Sequence, residues 1–296
     1  MMRTSSIAAV RGAVARWKAR GEPVSFVPTM GAIHAGHLSL VQRAGGRGAG
    51  PAARRRPRPP GRIVASIFVN PLQFGPREDF RRYPRPARRD RALLARAGVD
   101  LLWEPRVADL YPPGHETRVV VGGLQRRLEG AARPGHFEGV TTVVAMLLNV
   151  VQPDVLWLGQ KDAQQALLIE RMCRDLDVPV RVRRGPTVRE RDGLACSSRN
   201  AYLAPDERAQ AAGLARGLAA ARRALKAGAR SAAGLQRAIR QVWRAHPLLR
   251  EDYVAVVDAR TLEPLRRLDR GRRVMVAVAA RVGRARLIDN FEARVP

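Results

Sequence analysis

Short apolar runs alternate with longer stretches of helical periodicity through the first two thirds of the chain. The runs predict strands, and the stretches with apolar residues three and four positions apart predict helices. Strands are predicted at residues 24–27, 63–69, 100–103, 154–158 and 178–182, and helices at 7–20, 37–44, 88–97, 140–151 and 163–176. This alternation favours an α/β fold in which crossover helices join the strands of a parallel sheet.

The pattern changes after residue 200. Residues 201–245 are rich in Ala, Arg and Leu and predict helices, and 253–257, 273–279 and 285–288 predict strands of a small sheet. Helices followed by strands indicate a second, smaller α+β domain. We therefore predict two domains, 1–185 and 186–296, with the boundary near Pro186.

One segment, residues 45–61, differs from both patterns. Its sequence, GGRGAGPAARRRPRPPG, is poor in apolar residues and dense in Gly, Pro and Arg. Such a composition cannot bury enough apolar surface to pack, so we interpret it as a disordered surface insertion. A basic arm that binds nucleic acid is the alternative.

Composition narrows the class of protein. A chain of 296 residues with 46% hydrophobic content suits one large or two ordinary globular domains. No apolar run reaches eighteen residues, and the first twenty residues lack the continuous apolar stretch of a secretory signal. The two cysteines, Cys173 and Cys196, are too few for a disulfide framework. We expect a cytoplasmic protein without membrane contact.

The net charge of +28 suggests nucleic-acid binding at first sight. Only three of the 54 basic residues are lysines, and the arginines are spread along the whole chain. Aromatic residues that could stack on bases make up only 5%. We therefore expect no nucleic-acid partner, with a basic nucleic-acid-binding protein without catalysis kept as a competing hypothesis.

The segment PTMGAIHAGH, residues 28–37, joins a predicted strand to a predicted helix. Its histidines, His34 and His37, are three apart at the helix start and so share a face. Gly36 leaves room for a ligand near the backbone, and the N–H groups and dipole of a helix start attract phosphate. The alternatives are a structural histidine pair or half of a metal site.

Five further motifs follow in order. They are SIFVNPLQFG at 66–75, RPGHFEGV at 133–140, GQKDAQQ at 159–165, PTVRE at 186–190 and DGLACSSRN at 192–200. Together with the histidine motif, and with LIDN at 287–290, this set resembles the pantothenate synthetase family. The resemblance runs from about residue 24 to the end of the chain.

The resemblance implies a Rossmann-like nucleotidyltransferase domain followed by a smaller α+β domain, assembled as a homodimer. It also implies a reaction. ATP would drive the condensation of (R)-pantoate with β-alanine through a pantoyl adenylate, giving pantothenate, AMP and pyrophosphate, and Mg²⁺ would accompany the ATP.

The resemblance also assigns site residues. His37, His34 and Lys161 would be catalytic, with His37 as proton donor. Gln73 and Gln165 would bind pantoate and β-alanine, and no residue is assigned to a metal. The ATP-binding residues would be Met30, Gly36, His37, Gly159, Gln160, Lys161, Asp162, Val188, Cys196, Ser197, Ser198 and Arg199.

These residue types suit the chemistry. Charge builds on phosphate oxygens when a carboxylate attacks the α-phosphorus, so donors aimed there stabilise the transition state. Lys161 is a compact positive charge in a chain with few lysines. Arg88 and Arg89 precede Asp90 where the family often has acidic residues, which weakens a magnesium role for Asp90. Another adenylyltransferase of the superfamily would keep the histidine motif without needing Gln73 and Gln165.

Overall fold

Six parallel strands form the sheet that organises the first part of the chain in the computed structural model, which describes residues 1–46, 61–76 and 78–296. The strands are β1 (Met2–Thr4), β2 (Val24–Thr29), β3 (Arg62–Ile67), β4 (Leu101–Trp103), β5 (Val155–Gly159) and β6 (Arg181–Gly185). Their order across the sheet is β1-β4-β3-β2-β5-β6. Every pairing is parallel, which confirms the predicted parallel sheet with crossover helices.

The helices of this part are α1 (Ile7–Ala19), α2 (Ala35–Ala44), α3 (Ala87–Ala97), α4 (Val107–Leu110), α5 (Glu129–Ala132), α6 (His136–Val151) and α7 (Ala163–Asp175). Helices α2 and α3 contact each other, and one apolar core joins them to the sheet through residues such as Val27, Leu40, Ile63 and Leu94. Strand β2 is central in the sheet, paired with β3 on one edge and β5 on the other. Its apolar side chains are buried, as expected for a central strand of a parallel sheet.

The remaining elements form an antiparallel sheet with helices. They are α8 (Pro205–Ala211), α9 (Gly213–Lys226), α10 (Ala232–Trp243), β7 (Leu249–Asp258), β8 (Arg273–Val282) and β9 (Ala285–Arg294). The strand order is β7-β8-β9, and α9 contacts α10 along its length. Gly217 permits that approach, because a Cβ there would lie 2.7 Å from the Trp243 Nε1 atom. This small helix-and-sheet part confirms the predicted α+β region.

The chain divides into two compact units. The first contains Met1–Gln160 and Gln164–Pro186, and the second contains Lys161–Ala163 and Thr187–Pro296. Three residues of the turn after β5 therefore belong to the second unit although the sequence places them within the first. Within the described residues, no helix has the length and apolar character needed to cross a bilayer.

Three local predictions need correction. Strand β1 is absent from the predicted elements, because three residues are too short to show a period. Strand β6 lies at Arg181–Gly185 instead of 178–182. The Val178 and Val180 amides donate to nearby carbonyls, and the first amide that bonds across to the neighbouring strand is that of Arg181, which donates to the Asp154 carbonyl just before β5. Helix α6 begins four residues before the predicted 140, following Gly135 at φ 81°.

The remaining prediction of this kind concerns residues 45–61. Gly45 ends α2 as its C-cap and Gly46 has φ 75°. Residues 47–60, which carry the arginine- and proline-rich part of the predicted insertion, lie outside the described residues.

Candidate active site

The turn between β2 and α2 is held by a buried carboxylate. Asp90, in the first turn of α3, is 1% exposed and accepts hydrogen bonds from the Ala32 amide at 2.7 Å and the Ile33 amide at 2.8 Å. Thr29 adds a second anchor: its hydroxyl donates to the Ser66 carbonyl on β3 and accepts from the Gly31 amide. The turn that leads to the histidines is thus fixed from two neighbouring elements.

Backbone conformation explains why glycine stands in this turn. Gly31 has φ 83°, a left-handed value that favours glycine. A Cβ at Gly31 would also lie 3.1 Å from the Asp90 Oδ2 atom. Ala32 follows with φ 49°, which is uncommon for a residue with a side chain. The two hydrogen bonds that Asp90 accepts from the Ala32 and Ile33 amides compensate for this strained conformation.

His34 and His37 form a reciprocal cap at the start of α2. The His34 Nδ1 atom accepts from the Gly36 amide at 3.1 Å, and the His37 Nδ1 atom accepts from the His34 amide at 3.4 Å. Their ring centroids are 4.0 Å apart. Because Nδ1 accepts in both rings, the proton of each neutral ring is on Nε2. The sequence motif therefore fixes the tautomer of both histidines.

The turn after β3 carries Gln73 on a buried 3-10 turn, Pro71–Gln73. Asn70, 1% exposed, donates to Gln73 Oε1 at 3.2 Å and to the Gly139 carbonyl at 3.0 Å. Gln73 Nε2 lies 2.8 Å from the Met30 sulfur. This contact joins a residue predicted to bind pantoate and β-alanine, Gln73, with one predicted to bind ATP, Met30. Tyr111 donates its hydroxyl to Asn70 Oδ1 at 2.8 Å.

Helix α6 begins against this turn and needs a glycine there. A Cβ on Gly139 would overlap the Leu72 carbonyl and the Gln73 amide. His136, the first residue of α6, donates from Nδ1 to the Gln73 carbonyl at 2.7 Å. Its Nε2 atom accepts from Arg133 at 3.0 Å, and Arg133 in turn pairs with Glu78. This chain of contacts fixes the main chain of Gln73.

His136 is neutral near pH 7 in this arrangement. Burial lowers its pKa to about 4, and the adjacent Arg133 charge adds to that effect, while the Gln73 carbonyl, Glu78 and Glu129 oppose it. A neutral ring can donate at one nitrogen and accept at the other, as the contacts with Gln73 and Arg133 require.

Lys161 lies in the second unit, on the 3-10 turn Gln160–Asp162 that follows β5. Its ammonium is 3.2 Å from Asp162 Oδ1. Its main-chain carbonyl accepts from the Asn290 side chain at 2.8 Å, and Asn290 is 6% exposed on β9. Gly159 and Gln160, also predicted as ATP-binding, end β5 and open this turn.

A hairpin in the second unit precedes the serine motif. Arg189 and Ala195 form an isolated antiparallel bridge, and the Cys196 amide donates to the Val188 carbonyl at 2.9 Å. Burial raises the pKa of Cys196. Ser197 caps the 3-10 helix Ser198–Tyr202 by accepting from the Arg199 amide at 3.3 Å.

Two arginine clusters hold that hairpin. Arg189 makes a paired contact with Asp289, at 2.6 and 3.0 Å, and Asp289 is 2% exposed. Arg208 bridges Glu190 and Asp192, and its guanidinium holds the pKa of Asp192 below the usual range. The segment that carries Ser197, Ser198 and Arg199 is therefore fixed at its base by ion pairs.

The structure places the sequence-predicted residues on the loops that follow parallel strands. In the first unit, the histidine turn and the Gln73 turn follow the paired ends of β2 and β3, where Thr29 lies opposite Ile67. In the second unit, the turn after β5 carries Lys161. The hairpin and the 3-10 helix after it carry Val188, Cys196, Ser197, Ser198 and Arg199. Gln165 is half-buried on α7. Their roles toward ATP and pantoate stay predictions.

Sequence reasoning missed several residues that organise these loops. Asp90 entered only as a weak magnesium candidate, and it anchors the histidine turn instead. Gln164, next to the predicted Gln165, is buried and bonds to the main chain of Leu124, Arg127 and Glu129. The sequence offers no local signal for either burial, because Asp90 stands among arginines and Gln164 is next to Gln165.

The described residues contain no group of three or more His, Cys, Asp or Glu side chains that could hold a metal ion. The histidine pair thus lacks the third ligand that the metal-site alternative needs there. Its two Nδ1 atoms are occupied by main-chain amides, which favours the capping and donor roles.

Comparison with known proteins matches residues 3–292 to the sequence model described as Pantoate-beta-alanine ligase. The chain is 52% identical to the pantothenate synthetase of Moorella thermoacetica over 285 residues, 96% of each chain. It is also 52% identical to a pantothenate synthetase of Thermus thermophilus over 293 residues, covering 98% of this chain and 99% of that one.

Solved structures give the same result. The pantothenate synthetase of Thermus thermophilus superposes with a TM-score of 0.87 at 51% identity, covering 98% of this chain and 99% of that chain. The pantoate-beta-alanine ligase of Francisella tularensis, complexed with beta-gamma ATP and beta-alanine, gives a TM-score of 0.75 at 30% identity, covering 98% and 97%.

The anchoring role of Asp90 predicts a defined loss of stability. Asp90→Asn removes one of two acceptors from buried amides, which should lower the free energy of unfolding by about 1–3 kcal/mol. Urea denaturation measures that loss, and long-range ¹H–¹⁵N spectra of the imidazoles should show His34 and His37 perturbed. Asp154→Asn is the control, because Asp154 accepts from the Val24 amide at 2.7 Å elsewhere in the sheet. Unchanged histidine spectra in Asp90→Asn would contradict the role.

The depressed pKa of His136 predicts an acid-sensitive stability. The unfolded ring binds a proton near pH 6.5 and the folded ring only near pH 4. Between these values the unfolded state holds more protons, so the free energy of unfolding should fall as pH drops from 6.5 toward 4. Urea midpoints measured across this range should be less pH-dependent in His136→Asn. Equal pH dependence in both proteins would show that His136 does not titrate as described.

Proposed function

The chain belongs to the pantoate-beta-alanine ligase family, and from this premise we propose how its residues join (R)-pantoate to β-alanine at the expense of ATP. The enzyme is a ligase of pantothenate biosynthesis, and ATP is its substrate. In the proposed course, ATP is split to AMP and pyrophosphate through a pantoyl adenylate. Residues 1–185 form the domain that binds ATP and pantoate, and residues 186–296 carry the serine loop.

The proposed first step forms the adenylate. A pantoate carboxylate oxygen attacks the α-phosphorus of ATP, the new O–P bond forms, and pyrophosphate leaves with the electrons of the broken P–O bond. In the second step the β-alanine amine attacks the pantoyl carbonyl carbon. The amide bond forms, AMP leaves, and the amine gives up a proton.

The observation that carries this proposal is the reciprocal cap at the start of α2. Because main-chain amides occupy the Nδ1 atoms of His34 and His37, each neutral ring presents Nε2–H as its donor. Preorganised donors of this kind stabilise charge that develops on phosphate oxygens. We assign the Nε2–H group of His37 as a hydrogen-bond donor to the phosphate oxygens that gain charge, and that of His34 as a second such donor.

The second unit supplies further donors in this proposal. Lys161 contributes a point charge suited to phosphate, and Ser197, Ser198 and Arg199 contribute hydroxyl and guanidinium donors. The nucleotide-binding loops are lined by Met30, Gly36, Gly159, Gln160, Asp162, Val188 and Cys196. Gln73 and Gln165 bind pantoate and β-alanine through neutral amides.

Magnesium enters the proposal as part of the ATP substrate. Asp90, the acidic residue nearest the histidine motif on α3, already accepts two main-chain amides. Those contacts, with the carboxylate 1% exposed, give Asp90 a structural role in the histidine turn. We therefore assign Mg²⁺ to the phosphates of ATP and no protein residue to its coordination.

The assembly and location are proposed on more general grounds. The family resemblance supports a homodimer, which sedimentation equilibrium would test. A biosynthetic reaction that consumes ATP supports a cytoplasmic enzyme, as do the thiols Cys173 and Cys196, which form no disulfide.

The function is tested by ATP–pyrophosphate exchange. Radiolabelled pyrophosphate should enter ATP only when pantoate is present, because the adenylate must form before its reversal can occur. Exchange with a different carboxylate, or without any, would favour another adenylyltransferase of the same superfamily.

Removing a side chain that donates a hydrogen bond to the phosphates of ATP should slow adenylate formation. We expect His37→Ala and Lys161→Ala each to cost roughly 2.7–4 kcal/mol of transition-state stabilisation, the range found when one such donor is lost. Lys161→Arg should recover activity only in part, because a planar fork does not replace a compact charge. Single-turnover formation of pantoyl adenylate measures the effect. Rates near wild type for both alanine variants would contradict the assignment.

The two glutamines should control pantoate instead of ATP. Gln73→Ala and Gln165→Ala remove neutral hydrogen-bond partners of a substrate with a carboxylate and two hydroxyls, so the KM for pantoate should rise strongly and that for ATP little. Misplacement of the nucleophile should also lower kcat. A two-substrate kinetic matrix measures both constants. Loss of ATP affinity with pantoate affinity kept would place these glutamines in the nucleotide site.

A further inference from the structure

Two adjacent residues, Asp289 and Asn290, contact the two segments of the second unit that are proposed to donate hydrogen bonds to phosphate. These segments are the Lys161 turn and the hairpin that leads to Ser197. Asn290 donates from Nδ2 to the main-chain carbonyl of Lys161 at 2.8 Å. Asp289 receives the Arg189 guanidinium at 2.6 and 3.0 Å, at the base of the hairpin that leads to Ser197. The contacts join positions 129 and 100 apart in the sequence.

The strand that carries them explains how they reach both segments. Asp289 and Asn290 lie in β9, paired in register with Val278 and Ala277 of the central strand β8. Neighbouring residues of a strand point to opposite faces of the sheet. One strand can therefore reach two segments, the hairpin through Asp289 and the Lys161 turn through Asn290.

Both β9 side chains are themselves buried. Asp289 is 2% exposed and Asn290 is 6% exposed. The Asn290 amide also donates from its main chain to Asp289 Oδ1 at 2.8 Å, which links the two contacts directly. Buried hydrogen bonds of this kind fix geometry more strongly than exposed ones, because water does not compete for the partners.

The Lys161 turn belongs to the same compact unit as β9. Lys161–Ala163 belong to the second unit, while their neighbours Gln160 and Gln164 belong to the first. The hydrogen bond from the Asn290 side chain to the Lys161 carbonyl ties this turn to β9.

We propose that Asn290 and Asp289 are positioning residues that hold Lys161 and the Ser197–Arg199 segment in one fixed arrangement for the reacting phosphate. The inference rests on the proposed function, since it assigns these segments to ATP. Neither residue contacts substrate in this account. Asn290 acts through the backbone of Lys161, and Asp289 acts through Arg189.

The test replaces Asn290 by leucine, which has similar size, adds no charge and cannot donate. We expect Asn290→Leu to slow single-turnover formation of pantoyl adenylate by about 10- to 100-fold, since small misplacements of a catalytic group reach ~10²-fold. The KM for pantoate should stay within about twofold, because the lost interaction acts in the transition state. Asn290→Ser has a side chain too short to reach the Lys161 carbonyl, and it replaces the leucine variant if that variant does not fold.

A matched control is available in the same unit. Gln236 on α10 donates from its side-chain amide to the Val254 carbonyl at 2.9 Å, without contact to either donor segment. Gln236→Met loses the same kind of bond. It should lower the melting temperature to a similar degree and leave the adenylation rate unchanged. An equal rate loss in Gln236→Met would overturn the inference.

A double-mutant cycle separates positioning from general damage. If Asn290 acts through Lys161, Asn290→Leu should cause no further loss in a Lys161→Ala background, measured over hours by single turnover. The same fold-loss in both backgrounds, or a wild-type rate in Asn290→Leu, would contradict the inference. If wild-type enzyme itself shows no pantoate-dependent pyrophosphate exchange, the proposed function fails, and the inference fails with it.

Discussion

The carboxylate of Asp90 is the interaction on which the histidine turn depends. The turn before α2 contains two consecutive residues in the left-handed region, Gly31 and Ala32. Such a backbone is costly by itself. By accepting the Ala32 and Ile33 amides, Asp90 satisfies the donors that this conformation would otherwise leave buried without partners. The reciprocal cap of His34 and His37 then follows from local sequence.

Sequence patterns predicted the parts of this protein that local contacts determine. The strand before the histidine motif and the helix after it lie within a few residues of their predicted ends, because apolar periodicity and a helix-start motif are both short-range. The cap is also local, with partners two or three residues apart, but the sequence offered a structural histidine pair only as an alternative. The family resemblance rested on motifs of this short-range kind.

Contacts between distant positions were beyond such reasoning. Asp90 is separated from its amide partners by 57 and 58 positions, and Asn290 from Lys161 by 129. No periodicity encodes which carboxylate will meet which amide, so Asp90 was interpreted through its arginine neighbours. The displacement of β6 has a related cause, because Val178 and Val180 suit a strand locally while the pairing with β5 begins at Arg181.

The arginine-rich composition acquires a structural meaning in the second unit. Arg189 and Arg208 each engage carboxylates through more than one nitrogen, and the planar guanidinium fork is suited to that geometry. These pairs hold the hairpin before Ser197, so the charges of both arginines are directed to the protein's own acids. A phosphate that changes charge during reaction needs a different donor, compact and adjustable in direction. In the proposed mechanism Lys161 fills that role, with its carbonyl bonded to Asn290 and its ammonium beside Asp162, in a chain whose basic residues are mostly arginines.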